Sequence, residues 1–125
     1  MKNGLKEINK TLGVWGSLLC DNQGKIIAEV TPPALNKPRM ENISRHILEA
    51  FKTIGEELPG MKEVVLHYKQ RKLFAVDIQQ ALLIVVCTPS VDIPLLRMSV
   101  NVIVTGWQND PKVKKELAKA FIERI

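Results

Sequence analysis

Chemistry in this chain would have to run through very few residues. Its 125 residues hold two histidines and two cysteines. His46 stands beside Arg45 and three positions before Glu49, which reads as the polar side of a helix. His67 stands between Leu66 and Tyr68 in a strand-like run. Neither has a His, Cys or carboxylate at a metal-ligand spacing. Cys20 and Cys87 each sit in an apolar run without CxxC spacing, so they read as small buried hydrophobes. A cysteine nucleophile would need one of these thiols exposed beside an imidazole. Glu56 and Glu57 are adjacent, and a helix points adjacent side chains apart, unlike an acid–base pair. Gly13-Val-Trp-Gly16 lacks the later glycine and lysine of a phosphate-binding loop. The sequence thus offers no catalytic residue, no metal site and no cofactor site, and the expectation is a protein that is not an enzyme.

Composition narrows the class. An apolar fraction of 46% with 25% charged residues is that of an ordinary globular protein. No apolar run approaches the roughly 20 residues that span a bilayer. Met1-Lys2-Asn3-Gly4 opens a polar segment unlike a signal peptide, so a cytoplasmic location is expected. The net charge of +5 asks for a partner. Lys69, Arg71 and Lys72 surround one turn, and Lys112, Lys114, Lys115 and Lys119 lie near the C-terminus. Nucleic-acid modules pair such charge with exposed aromatics or a recognisable motif. Aromatic residues are scarce here and mostly apolar-patterned, so no nucleic acid is expected.

The elements follow from periodicity. Leu5, Ile8 and Leu12 mark one face of a first helix over residues 3 to 11. Val14 to Cys20 and Lys25 to Val30 read as a hairpin. Asp21 and Asn22 bend its turn through local hydrogen bonds, and Gly24 supplies a positive φ. Asn36 caps a long helix, with Pro38 in its first turn. Its main apolar stripe is Ile43, Ile47, Ala50, Phe51, Ile54 and Leu58. Beside it lie Met40, Ser44, Leu48 and Gly55, which are either part of a wide core face or a partner contact. Pro59-Gly60 ends the helix. Met61 to Tyr68 alternates, with Val64, Leu66 and Tyr68 on one face and Glu63, Val65 and His67 on the other. Leu73 to Ile78 and Ala81 to Cys87 complete five strands, and the continuous apolar run of the last suits a central position. Leu95, Leu96, Val100, Ile103 and Val104 face the core from a third helix that ends at Thr105-Gly106. Asp110-Pro111 starts a last helix with Val113, Leu117, Ala120, Phe121 and Ile125 on one stripe.

The order is helix, two strands, long helix, three strands, helix, helix. It predicts an α+β fold, a five-stranded antiparallel sheet with helices packed on it. No linker or internal repeat divides residues 1–125, so a single domain is expected, with 110–125 as an additional C-terminal helix.

That order resembles the roadblock/dynein light chain family. The resemblance rests on Gly13-Val-Trp-Gly-Ser-Leu-Leu-Cys-Asp-Asn-Gln-Gly-Lys-Ile-Ile27, on the long helix after the second strand, and on Leu82-Leu-Ile-Val-Val-Cys87 leading to Leu95-Leu-Arg-Met98. It covers roughly residues 3 to 106 and implies a roadblock/profilin-like architecture. It also implies a homodimer, with the long helices side by side and the third strands joined into one sheet. On this chain that maps to Asn36 to Leu58 and Met61 to Tyr68, with Ser44, Leu48, Gly55, Val65 and His67 at the interface. The implied role is regulatory and non-catalytic: a scaffold for a small Ras-like GTPase or a related signalling or motor partner. Residues 110–125 fall outside the resemblance, and the exposed Lys112, Lys115 and Lys119 are the candidate partner-binding residues. The competing reading is a small-molecule sensor of profilin-like or PAS-like architecture, which requires a cavity between sheet and helices.

Overall fold

The computed structural model describes residues 1–123, with side chains as far as Lys119. The chain order is α1 (Lys2–Asn9), β1 (Val14–Cys20), β2 (Ile26–Val30), α2 (Lys37–Glu57), β3 (Glu63–His67), β4 (Lys72–Asp77), β5 (Leu82–Cys87), α3 (Ile93–Gln108) and α4 (Pro111–Glu123). The five strands form one antiparallel sheet in the order β2-β1-β5-β4-β3. β5 is central and buried along its whole length. Its unbroken apolar run has a simple cause: both faces of the sheet are covered. Leu83, Val85 and Cys87 face α1, α3 and α4, whereas Leu82, Ile84 and Val86 face α2.

The hairpin between β1 and β2 forms as its residues dictate. Asp21 is buried, and its Oδ1 accepts hydrogen bonds from the amides of Gln23 (2.8 Å) and Lys25 (2.9 Å). Gly24 takes φ +86°, a conformation that costs an L side chain strain. Helix caps are equally local. Asn36 Oδ1 accepts from Arg39 N at 3.1 Å at the start of α2, and Asp92 Oδ1 accepts from Leu95 N at 3.0 Å at the start of α3.

One face of the sheet holds α1, α3 and α4 over a core that includes Leu5, Ile8, Phe74, Leu96, Val100 and Trp107. α1 lies close enough to α3 that a Cβ on Gly4 would sit 2.7 Å from Trp107 Cζ2 and Nε1. α1 is also tied to the hairpin: Ser17 Oγ donates to Asn9 Oδ1 at 2.7 Å, and Asn9 Nδ2 donates to Val30 O at 2.9 Å. α4 docks on its own chain. Val113 and Leu117 are buried in the same core, each worth roughly 1.5–3 kcal/mol of apolar burial. Ala120 and Phe121 as side chains, and Ile125 altogether, lie outside the described residues.

Several sequence-based boundaries move. α1 ends at Asn9, so Leu12 falls beyond it and is 90% exposed instead of joining Leu5 and Ile8. α3 continues through Gly106 to Gln108, because Trp107 is held inside the core beside Gly4 and anchors another turn. Leu95 is exposed, since the buried face of α3 rotates to Leu96, Val100 and Trp107. In α2 the buried residues are Met40, Ser44 and Ile47, so the side contacting the sheet is centred nearer Met40 and Ser44 than the sequence stripe implied.

Candidate interaction surfaces

The residues with chemical potential stay apart. Cys20 and Cys87 are both buried and lie on opposite faces of the sheet. Burial pushes the Cys87 thiol up to about 12, against a smaller opposing effect of Lys72. His46 and His67 are exposed, one on α2 and the other at the end of β3. Among the described residues no three His, Cys, Asp or Glu side chains gather as a metal cluster. No helix among them is long and apolar enough to cross a membrane.

β3 is an edge strand, paired only with β4 among the described residues. An edge presents unpaired amides and carbonyls to any strand that can align with it. Val65 pairs with Phe74 and packs toward the α3 face, and His67 opposes Lys72 in the open. Leu66 points the other way, toward α2. On the α3 side, Arg97 clamps the start of β3. Its Nε and Nη2 donate to the two carboxylate oxygens of Glu63, each at 2.8 Å. That hydrogen bond raises the pKa of Arg97 further.

The interface residues expected on α2 divide. Ser44 is fully buried, donates to Met40 O at 2.9 Å, and cannot reach a partner. Leu48 packs toward the β1–β2 turn, with its Cδ1 3.5 Å from where a Gly24 Cβ would stand. That turn lies at the β2 side of the sheet, away from the β3 edge. Ser44 is thus turned into its own chain, whereas Leu48 is half-buried on the side of α2 that meets the β1–β2 turn. Gly55 faces open space, and a Cβ placed on it would meet no atom within 4 Å. Ala50, Ile54 and Leu58, spaced by four along the C-terminal half of α2, are half-buried or exposed and belong to neither core cluster.

Beside the N-terminal half of α2, an open groove of about 530 Å³ lies between the helix and the sheet. Arg39, Ile43 and His46 of α2 face Trp15, Tyr68 and Arg71 across it. The Arg71 guanidinium lies 4.4 Å from the centre of the Trp15 ring. Of the basic turn seen in the sequence, Arg71 lines this groove.

Lys112, Lys115 and Lys119 are exposed on the outer side of α4, opposite the buried Val113 and Leu117. A second surface was not anticipated. Leu95, Met98 and Val102 recur at three and four residues along α3 and stand in solvent, Met98 at 67% and Val102 at 71% exposure. Their spacing was a visible signal, but periodicity alone does not say which apolar stripe a helix buries.

No family model matches the sequence, and no curated protein matches it either. Solved structures do match its fold. A Roadblock/LC7 domain from Streptomyces avermitilis superposes with a TM-score of 0.71 at 11% identity, covering 87% of this chain and 92% of that one. The gliding protein MglB from Thermus thermophilus gives 0.67 at 17% identity, covering 82% of each chain. MglB from Myxococcus xanthus gives 0.62 at 15% identity, covering 97% and 90%. With its sheet ordered β2-β1-β5-β4-β3, α2 on one face and the other helices on the opposite face, the chain carries the roadblock/LC7 fold.

Proposed function

We propose that this protein is a non-enzymatic scaffold that pairs with a second copy of itself and binds a small Ras-like GTPase. The observation that carries the pairing is the coincidence of an edge and an apolar strip. β3 lies open at one side of the sheet, and Ala50, Ile54 and Leu58 line the exposed C-terminal half of α2. Antiparallel joining of two β3 edges satisfies their unpaired backbone groups, and the two α2 strips then cover each other. In such an arrangement Val65 and His67 contribute through their backbone, and Gly55 offers room for close approach. The GTPase follows from the roadblock resemblance, supported by a fold shared with a gliding protein. Lys112, Lys115 and Lys119 provide a cationic row suited to an acidic surface on that partner.

The test has two arms. Light scattering after size exclusion measures the mass of the chain and of Ile54→Glu; a dimer that becomes a folded monomer on substitution is expected. Pull-down with a Ras-like GTPase from the same genome is run in both nucleotide states; capture of one state in preference to the other is expected. A chain that is monomeric at micromolar concentration sinks the pairing, and equal failure of both nucleotide states to bind sinks the GTPase assignment.

A further inference from the structure

The groove between α2 and the sheet carries charge of one sign. Its charged lining residues are Arg39 and Arg71, and none is Asp or Glu. Among the described residues neither Arg39 nor Arg71 forms a salt bridge. Arg71 is held in place by its stacking on Trp15 and by an Nη1 hydrogen bond to Gln70 O at 2.8 Å. A stacked guanidinium loses little further freedom on meeting an anion, and its planar edge suits carboxylate or phosphate. The floor is apolar, with Leu73 and Val86 from the sheet and Ile43 from α2. A volume of about 530 Å³ falls within the range of sites for drug-sized molecules.

We propose that this groove binds a small organic anion. Its ring or short apolar body lies on Leu73 and Val86 beside Trp15, and its acidic group meets Arg39 and Arg71. The site uses the N-terminal half of α2, whereas pairing uses Ala50, Ile54 and Leu58, so either reading stands if the other fails.

The probe is 8-anilinonaphthalene-1-sulfonate, with N-phenyl-1-naphthylamine as its uncharged counterpart, titrated into the full chain. The sulfonate is expected to bind at one site per chain and roughly tenfold more tightly than the uncharged dye, the worth of a charge-assisted hydrogen bond. Arg39→Ala and Arg71→Ala are each expected to weaken the sulfonate roughly tenfold, and Lys6→Ala to leave it unchanged. Arg71→Lys, which keeps the charge and gives up the planar fork, is expected to fall between. Circular dichroism confirms that each variant is folded. Absence of sulfonate binding, equal affinity for both dyes, or affinity indifferent to both arginine substitutions overturns the proposal. So does an affinity that drops as protein concentration rises, which assigns the groove to a second copy of the chain.

Discussion

Arg97 and Glu63 face each other as a bidentate pair, with Nε and Nη2 each 2.8 Å from a carboxylate oxygen. The pair joins α3 to the first residue of the edge strand β3. Both side chains are partly exposed, so the bridge matters more for where β3 sits than for overall stability. Arg97→Ala is expected to leave the melting temperature almost unchanged and to speed amide exchange in residues 63–67. Exchange there as slow as in the parent chain would show that β4 alone holds the strand.

Gly4 is required by close approach and not by backbone conformation. Alanine favours a helix over glycine by about 1 kcal/mol, so helix propensity alone predicts that Gly4→Ala stabilises. The contacts at 2.7 Å to Trp107 and 2.8 Å to Ile103 predict the opposite. Overpacking of this kind costs about 1–3 kcal/mol, and chemical denaturation should show a net loss of stability.

Leu48→Ala and Ile54→Glu should separate packing from pairing. Leu48 is half-buried against its own protomer, so its truncation is expected to cost about 1–2 kcal/mol, below the cost at a fully buried leucine. The oligomeric mass should stay the same. Dissociation of the Leu48→Ala variant would return this side of α2 to the interface.

Leu117→Ala is expected to lower stability by about 2 kcal/mol, because Leu117 is buried beside Val113 in the core shared with Trp107. Deletion of residues 110–125 should cost more and raise the exposure of Trp107, visible as a red shift of its fluorescence. An unchanged denaturation midpoint after deletion would mean that α4 does not rest on this core in solution.

Cys87 should resist alkylation in the native state. At about pH 8.5, where an ordinary thiol is roughly half ionised, its raised pKa of about 12 keeps it protonated. Folding thus holds a proton that the unfolded chain releases. Its contribution to stability is complete below the ordinary thiol value and is lost as pH climbs from there toward about 12. Between about pH 8 and about pH 10 the parent chain should lose more stability than Cys87→Ala does, and native iodoacetamide labelling followed by mass spectrometry checks the thiol directly.

Taken alone, the sequence determined the element order, the hairpin turn at Asp21 and Gly24, the cap at Asn36, and the central place of the last strand. Each is a local matter: a side chain bonds its neighbouring backbone, or a run of five or six apolar residues needs cover on both faces. The basic turn at Arg71 and the lysine row on α4 were equally visible as composition. Only the tertiary structure decided which way each helix turned. Two apolar stripes on α2 and two on α3 competed for the same sheet, and burial is settled by the shape of the opposing surface. Ser44 thereby went inward, Leu95, Met98 and Val102 went outward, and Trp107 extended α3 past the glycine that marked its end. The clamp of Arg97 on Glu63 and the stacking of Arg71 on Trp15 were illegible for the same reason, since each joins residues more than thirty positions apart that only chain folding brings together.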